Sequence, residues 1–318
     1  MGIWKAAVLA LLVTCAGVRA GERPDASPAG ESVLTMRVEG ELTIGPDGQV
    51  VEYKLRTPLE PRLQEMLAKA IPSWRLKPVL QNGKPVGART PMRITLAATQ
   101  AAEGYQVRID NVVFAPLTDA DREAARAAAA AARARGEVLM TAGEQPLSVP
   151  DIRRVKTNPP VYPRGLASNG MEGMVLMVLR LQPDGRVADA VASQSTLFNV
   201  KGRPEVLDKA RAMLERVSLA AARSWTFDVD AADPGSLTPR ALSLSIAVDF
   251  AMAETPKEQR EAVGVWRWEF RGPQQFAPWL RKVVEEQVVG VSDLAGGEFL
   301  AGSSPFRLAD PGIIGRVL

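Results

Sequence analysis

The densest run of metal-type ligands is Asp228-Val229-Asp230-Ala231-Ala232-Asp233, which sets carboxylates at alternating positions as a calcium loop does. It lacks the third alternating ligand, the glycine and the distal glutamate of such a loop, so it reads as a solvated turn. Acids also come in pairs, Asp119 with Asp121 and Glu285 with Glu286. Two carboxylates about 5–10 Å apart across one cleft could hydrolyse a glycosidic bond. Both pairs, however, fall on expected helix surfaces, where solvated charge is the ordinary outcome. The chain contains no histidine, which removes Ser-His-Asp triads, Cys-His dyads and histidine zinc sites together. Its one cysteine, Cys15, lies in a segment expected to be removed. No glycine-rich phosphate loop or dinucleotide fingerprint is present. The chain therefore reads as non-enzymatic, with no catalytic residue, metal site or cofactor. A hydrolase working through carboxylates alone is the alternative from another class.

The elements that position these groups occupy 318 residues, 46% hydrophobic and 24% charged, as in an ordinary globular protein with room for two modest cores. The formal charge of +3 is spread along the chain, and nucleic acid is not expected as a partner. Residues 1–20 read as a secretory leader: Lys5, the apolar run Ala6 to Val18, then Val18-Arg19-Ala20 before the cleavage point. Thirteen apolar residues make a helix of about 20 Å, short of the roughly 30 Å hydrocarbon layer. The expected location is the periplasm after cleavage, with a retained inner-membrane anchor as the alternative. Leu12 three residues before Cys15 gives a lipoprotein reading, which Thr14 disfavours.

Two stretches follow the same order. In the first, Val33 to Ile44 reads as a strand with an irregularity near Gly40, Pro46-Asp47-Gly48 as a turn, and Val50 to Leu55 as the return. Leu59, Leu63, Met66, Leu67, Ala70 and Ile71 mark one helical face, ended by Pro72. Trp74 to Leu80 reads as a strand, Asn82-Gly83 as a hairpin turn, and Met92, Ile94 and Leu96 as alternate strand positions. In the second, Met174 to Leu181, Pro183-Asp184-Gly185 and Val187 to Val191 repeat the hairpin. A helix from Pro204 carries Val206, Ala210, Met213, Leu214, Val217 and Ala221. Ser224-Trp225 and Thr238-Pro239 answer Ser73-Trp74 and Thr90-Pro91, and Leu242, Leu244, Ile246, Val248 and Phe250 follow at period two. Shared anchors in a shared order predict an internal duplication.

The expected class is α+β: two small units, each an antiparallel sheet with a helix, over 33–114 and 151–252. An Ala-rich helical linker spans 115–150 and an extension 253–318. Tyr105 to Phe114 reads as a strand. Asp119 to Arg135 reads as a solvated connector helix carrying Arg122, Arg126 and Arg133. In the extension, Trp266, Trp268 and Phe270 predict a strand with an aromatic face. Leu280, Val283, Val284 and Val288 predict a short helix.

Pro159-Pro160-Val161-Tyr162-Pro163, then Glu172-Gly173 ten residues after Tyr162, then Pro183-Asp184-Gly185 eleven after Glu172, resemble the TonB C-terminal domain family. The helix ending in Trp225-Thr226-Phe227 is similar to that family's closing Trp-x-Phe element, and the likeness spans about 151–250. Residues 33–98 resemble a degenerate copy without the Tyr-Pro opening. The resemblance implies fold-keeping roles for Tyr162, Pro163, Glu172, Gly173, Pro183, Asp184, Gly185 and Trp225. It also implies capture of an extended segment on a sheet edge. The strand expected to offer that edge holds Leu242, Ser243, Leu244, Ser245, Ile246, Ala247, Val248 and Asp249. Implied partners are proteins of the cell envelope, an outer-membrane TonB-dependent receptor among them, or a second copy as a homodimer. A true energy transducer keeps its membrane helix and has a Pro-rich spacer. This chain has neither a Pro-rich run nor a long apolar segment, so a soluble relative is expected, with the anchored transducer as the alternative.

Overall fold

The computed structural model describes residues 30–102, 104–114, 119–136, 139–141, 150–231, 235, 237–252, 254–255, 262–280, 289–294, 298–300 and 304–318. The leader and the pair Glu285/Glu286 lie outside them. Among the described residues no helix is long and apolar enough to cross a membrane.

The class is α+β. The first unit contains β1 (Glu31–Ile44), β2 (Val50–Leu55), α1 (Pro61–Ala70), β3 (Val79–Gln81), β4 (Lys84–Ala101) and β5 (Gly104–Val113). Then come α2 (Asp119–Ala134) and β6 (Leu139–Thr141). The second unit contains β7 (Asp151–Lys156), α3 (Arg164–Ala167), β8 (Glu172–Leu181), β9 (Val187–Phe198), α4 (Pro204–Ala222), β10 (Thr226–Asp230) and β11 (Ser243–Phe250). The extension supplies β12 (Arg267–Arg271) and β13 (Glu298–Leu300).

The two units share local geometry at their Pro-Asp-Gly turns and at the tryptophans that follow their helices. At each Pro-Asp-Gly turn the glycine has φ +80° and its carbonyl accepts a hydrogen bond, from Leu76 N in the first unit and Phe227 N in the second, both at 2.9 Å. Both tight approaches require glycine: a Cβ would lie 2.0 Å from Leu76 O at Gly48 and 1.8 Å from Phe227 O at Gly185. Trp74 and Trp225 are both buried just after the helix. In each unit a long strand after the helix, β4 or β11, returns antiparallel to the opening strand, β1 or β8.

The units do not stand apart. β12 pairs with β1 on one side and β9 on the other, so eleven strands form one sheet in the order β13-β11-β8-β9-β12-β1-β4-β3 with β2, β5 and β6 attached. β7 and β10 form a separate two-stranded ribbon. The extension also enters the first core, where Phe306 is fully buried with Trp74 and Leu96, and Leu308 bridges to Leu76.

Several expectations need correction. The irregularity falls between Thr43 and Ile44 rather than at Gly40, where glycine instead admits Lys54 O to 2.5 Å of the would-be Cβ. Trp74 to Leu80 is only two bridged residues, Arg75 and Leu76, followed by β3. The buried face of α4 runs through Leu207, Ala210, Arg211, Leu214, Ser218 and Ala222, leaving Val206 and Met213 exposed. α2 is no solvated connector: Ala125, Ala129 and Ala132 are buried, and Asp121 is buried and paired with Arg56 at 2.6 Å. On and beside β12 the aromatic face is divided: Phe270 is buried in the second core and Trp266 packs against the first. Trp268 is exposed, whereas Glu269 on the opposite face is buried. From Pro278 the described chain is a single 3-10 turn, Pro278–Leu280, and Val283, Val284 and Val288 lie outside the described residues.

Candidate docking edge and the polar seam

β11 pairs with β8 along its whole length, in register from Ser243–Arg180 to Phe250–Gly173. Leu181 N donates to Leu242 O at 2.9 Å, which sets the parity. The even-numbered residues turn their backbone groups toward β8, and Ser243, Ser245, Ala247 and Asp249 turn theirs outward. On that outward side β13 pairs only with Leu244, Ser245 and Ile246. Among the described residues no strand pairs with Ala247 to Phe250 on this side. Of the eight residues expected to form an open edge, three are thus covered.

Beside the uncovered run lies a groove of about 240 Å³, walled by Pro159, Pro160, Tyr162 and Trp225 against Ala247 and Asp249. The sequence builds this wall from rigid parts. Two successive prolines fix φ and hold residues 159–163 away from helix. Tyr162 donates its hydroxyl to Met171 O and packs edge-on to Phe250 at 5.4 Å and 67°. Burial, reinforced by Glu172 and Asp249, pushes the Tyr162 hydroxyl up to about 12, so it remains a donor at ordinary pH. Pro163 caps α3, and Trp225 Nε1 donates to Asn158 O at 2.8 Å, tying the wall to the core. Glu172 Oε1 accepts from Met252 N at 2.7 Å and Thr255 Oγ1 at 2.5 Å, clamping the chain just past β11. Gly173 lets β8 start against β9, since a Cβ there would meet Thr196 O at 2.5 Å. Pro183, Asp184 and Gly185 make the far turn, with Arg186 N donating to Asp184 at 3.1 Å.

The other acids do not assemble a metal site among the described residues. Asp228 pairs with Arg153 at 2.7 Å, Asp230 ends β10, and Asp233 lies outside the described residues. Sequence reasoning passed over a second concavity, of about 520 Å³, at the seam where the two units and the extension meet. Asp110 and Asp293 both line it. Asp110 is held by Arg271 at 2.5 Å, and Asp293 accepts from Thr95, from Asn111 at 2.5 Å and from Gly290 N at 2.7 Å. Burial pushes the Asp293 carboxyl above its ordinary value. Although burial opposes it, Asp110 and Glu31 hold the Arg271 guanidinium above its usual range. Each carboxylate is thus occupied by internal donors, an arrangement that fastens the extension in place. The alternating Arg267, Glu269 and Arg271 were the available signal for this seam, masked by the aromatics between them.

Comparison with protein-family models, with curated proteins and with solved structures gives no match to this chain.

Proposed function

We propose that this chain is an exported, non-enzymatic envelope protein that binds an extended segment of a partner protein along the distal half of β11. One observation carries the reading. β11 runs four residues past its covering strand beside a groove walled by proline, tyrosine and tryptophan. Main-chain ladder bonds would supply affinity, and one apolar side chain of the incoming strand would fill the groove. The resemblance of residues 151–250 to the TonB C-terminal domain supports the same mode. It makes an outer-membrane transporter segment the first partner to examine. Export rests on residues 1–20, and a mature chain beginning at Gly21 in mass spectrometry is the expected result. An intact N-terminus in the inner-membrane fraction would favour the anchored alternative.

Selection of short random peptides displayed on phage against the immobilised protein tests the binding mode. Recovered peptides should shift the amide signals of Ala247 to Phe250. Ala247→Pro should abolish their binding while the melting curve stays near wild type, because the lost N–H faces away from β8. Peptides that bind equally well to Ala247→Pro would rule out edge pairing.

A further inference from the structure

Small ligands favour concavities where separate parts of a chain meet, with volumes of roughly 300–1,000 Å³. The seam cavity, of about 520 Å³, has that setting. Asp110 and Phe114 of the first unit, Gln194 of β9 and two stretches of the extension wall it. None of its lining residues belongs to β11 or to the groove beside that strand.

The charges around the cavity are already committed. Arg271 is held by Asp110 at 2.5 Å and by Glu31 at 2.7 Å, and Asp293 accepts from Thr95, Asn111 and Gly290 N. Arg307 donates to Ser304 O and Phe306 O, and Lys77 also has a partner. A charged ligand would give up its hydration here without gaining a counter-ion. Two neutral polar side chains are committed as well. Gln194 donates to Gly272 O at 3.0 Å and accepts from Val291 N at 2.9 Å, and Ser292 donates to Glu269 at 2.7 Å. Gln274 differs. Its Nε2 donates to Val289 O at 3.0 Å, and its Oε1 accepts nothing among the described residues. One acceptor and one N–H of the same amide are therefore left over. Phe114, Leu308, Pro311 and Ile314 supply an apolar wall.

We infer that the seam cavity binds a neutral small molecule with an apolar body and an amide group, the amide pairing with that of Gln274. An amide offers the donor and the acceptor that Gln274 lacks, and its neutrality suits a lining whose charges are already paired. Because the walls come from both units and the extension, a bound molecule also stabilises their join by linkage.

Three isosteric probes at neutral pH test the site on the full chain: cyclohexanecarboxamide, cyclohexanecarboxylate and cyclohexylmethylammonium. Methyl NMR of Leu308 and Ile314 reads binding at the cavity. The carboxamide should shift both signals saturably, and each charged probe should bind at least about tenfold more weakly. Gln274→Leu should weaken the carboxamide about tenfold. Ile314→Trp and, at an exposed position, Ala309→Trp should each fill the cavity and abolish binding read at Leu308. A charged probe that binds as tightly as the carboxamide would overturn the neutral class. Carboxamide affinity unchanged in Gln274→Leu, or in both tryptophan variants, would overturn the placement. No saturable shift with any probe in wild type would overturn the site altogether and leave the β11 edge reading standing.

Discussion

The turn glycines Gly48 and Gly185 occupy equivalent places, and each is held by a different constraint from an ordinary loop glycine. Each combines a φ of +80° with a carbonyl within 2.0 Å of the position a Cβ would take. Left-handed strain costs about 1 kcal/mol and overpacking against backbone a further 1–3 kcal/mol. Gly48→Ala and Gly185→Ala should each destabilise by about 2–4 kcal/mol in urea titrations. Gly83→Ala, at φ +75° with open space around it, should lose only the strain component. At the seam, the buried Asp293 carboxyl titrates above its ordinary 3.8. A raised value means that its proton stabilises the fold. That contribution is complete below 3.8 and is lost as pH rises through the higher folded value. Asp293→Asn cannot ionise, so wild type should lose stability relative to this variant between pH 4 and neutrality. Paired urea titrations at the two pH values measure the gap, and a gap that widens in favour of wild type would reverse the assignment.

At the scale of elements, both hairpins, both main helices and the two period-two strands were legible because apolar periodicity and turn chemistry agreed in each. The shared turn and tryptophan anchors were legible too, and they take matching local positions in the structure. What escaped was polar and buried. On α4, Arg211 is enclosed by Ser195 at 2.8 Å and Asp208 at 2.6 Å, and Ser218 is fully buried. Two polar residues inside the stripe shifted the apparent face toward Val206 and Met213. Leu214→Ala should therefore cost about 2–5 kcal/mol, whereas Met213→Lys should change stability by less than about 0.5 kcal/mol. Comparable losses from both in thermal melts would restore the sequence-derived face. On α2, alanines were read as too small to dock. Their size instead lets Ala125, Ala129 and Ala132 be buried in a helix that lies against β4. The β11 strand of the candidate site was visible in its alternation. The three-residue β13 and the groove wall were not, because pairing across more than fifty residues leaves no periodic trace.

The whole molecule behaves as two repeats fused through a strand that belongs to neither. Backbone pairing joins β12 to β1 and β9, and a single side chain reinforces the join from all directions. Glu269, fully buried, accepts from Thr35 of β1 at 2.7 Å, from Thr196 of β9 at 3.5 Å, from Ser292 of the extension at 2.7 Å and from Arg267 at 2.9 Å. Around it the buried Arg37, brought down to about 10 by burial and by Arg267 and Arg93, shows how crowded with cations this seam is. Removing this carboxylate, which touches both repeats, takes an acceptor from hydroxyls and a guanidinium, which costs about 3–5 kcal/mol when the site is buried. Because that loss falls on the join and not on either apolar core, it should uncouple the repeats before it unfolds them. Fluorine NMR of 5-fluorotryptophan reads Trp74 in the first core and Trp225 in the second separately. In wild type the two signals should disappear at one denaturant midpoint, as one continuous sheet demands. In Glu269→Ala the midpoints should separate. Coincident midpoints in the variant would mean that backbone pairing alone transmits cooperativity across β12.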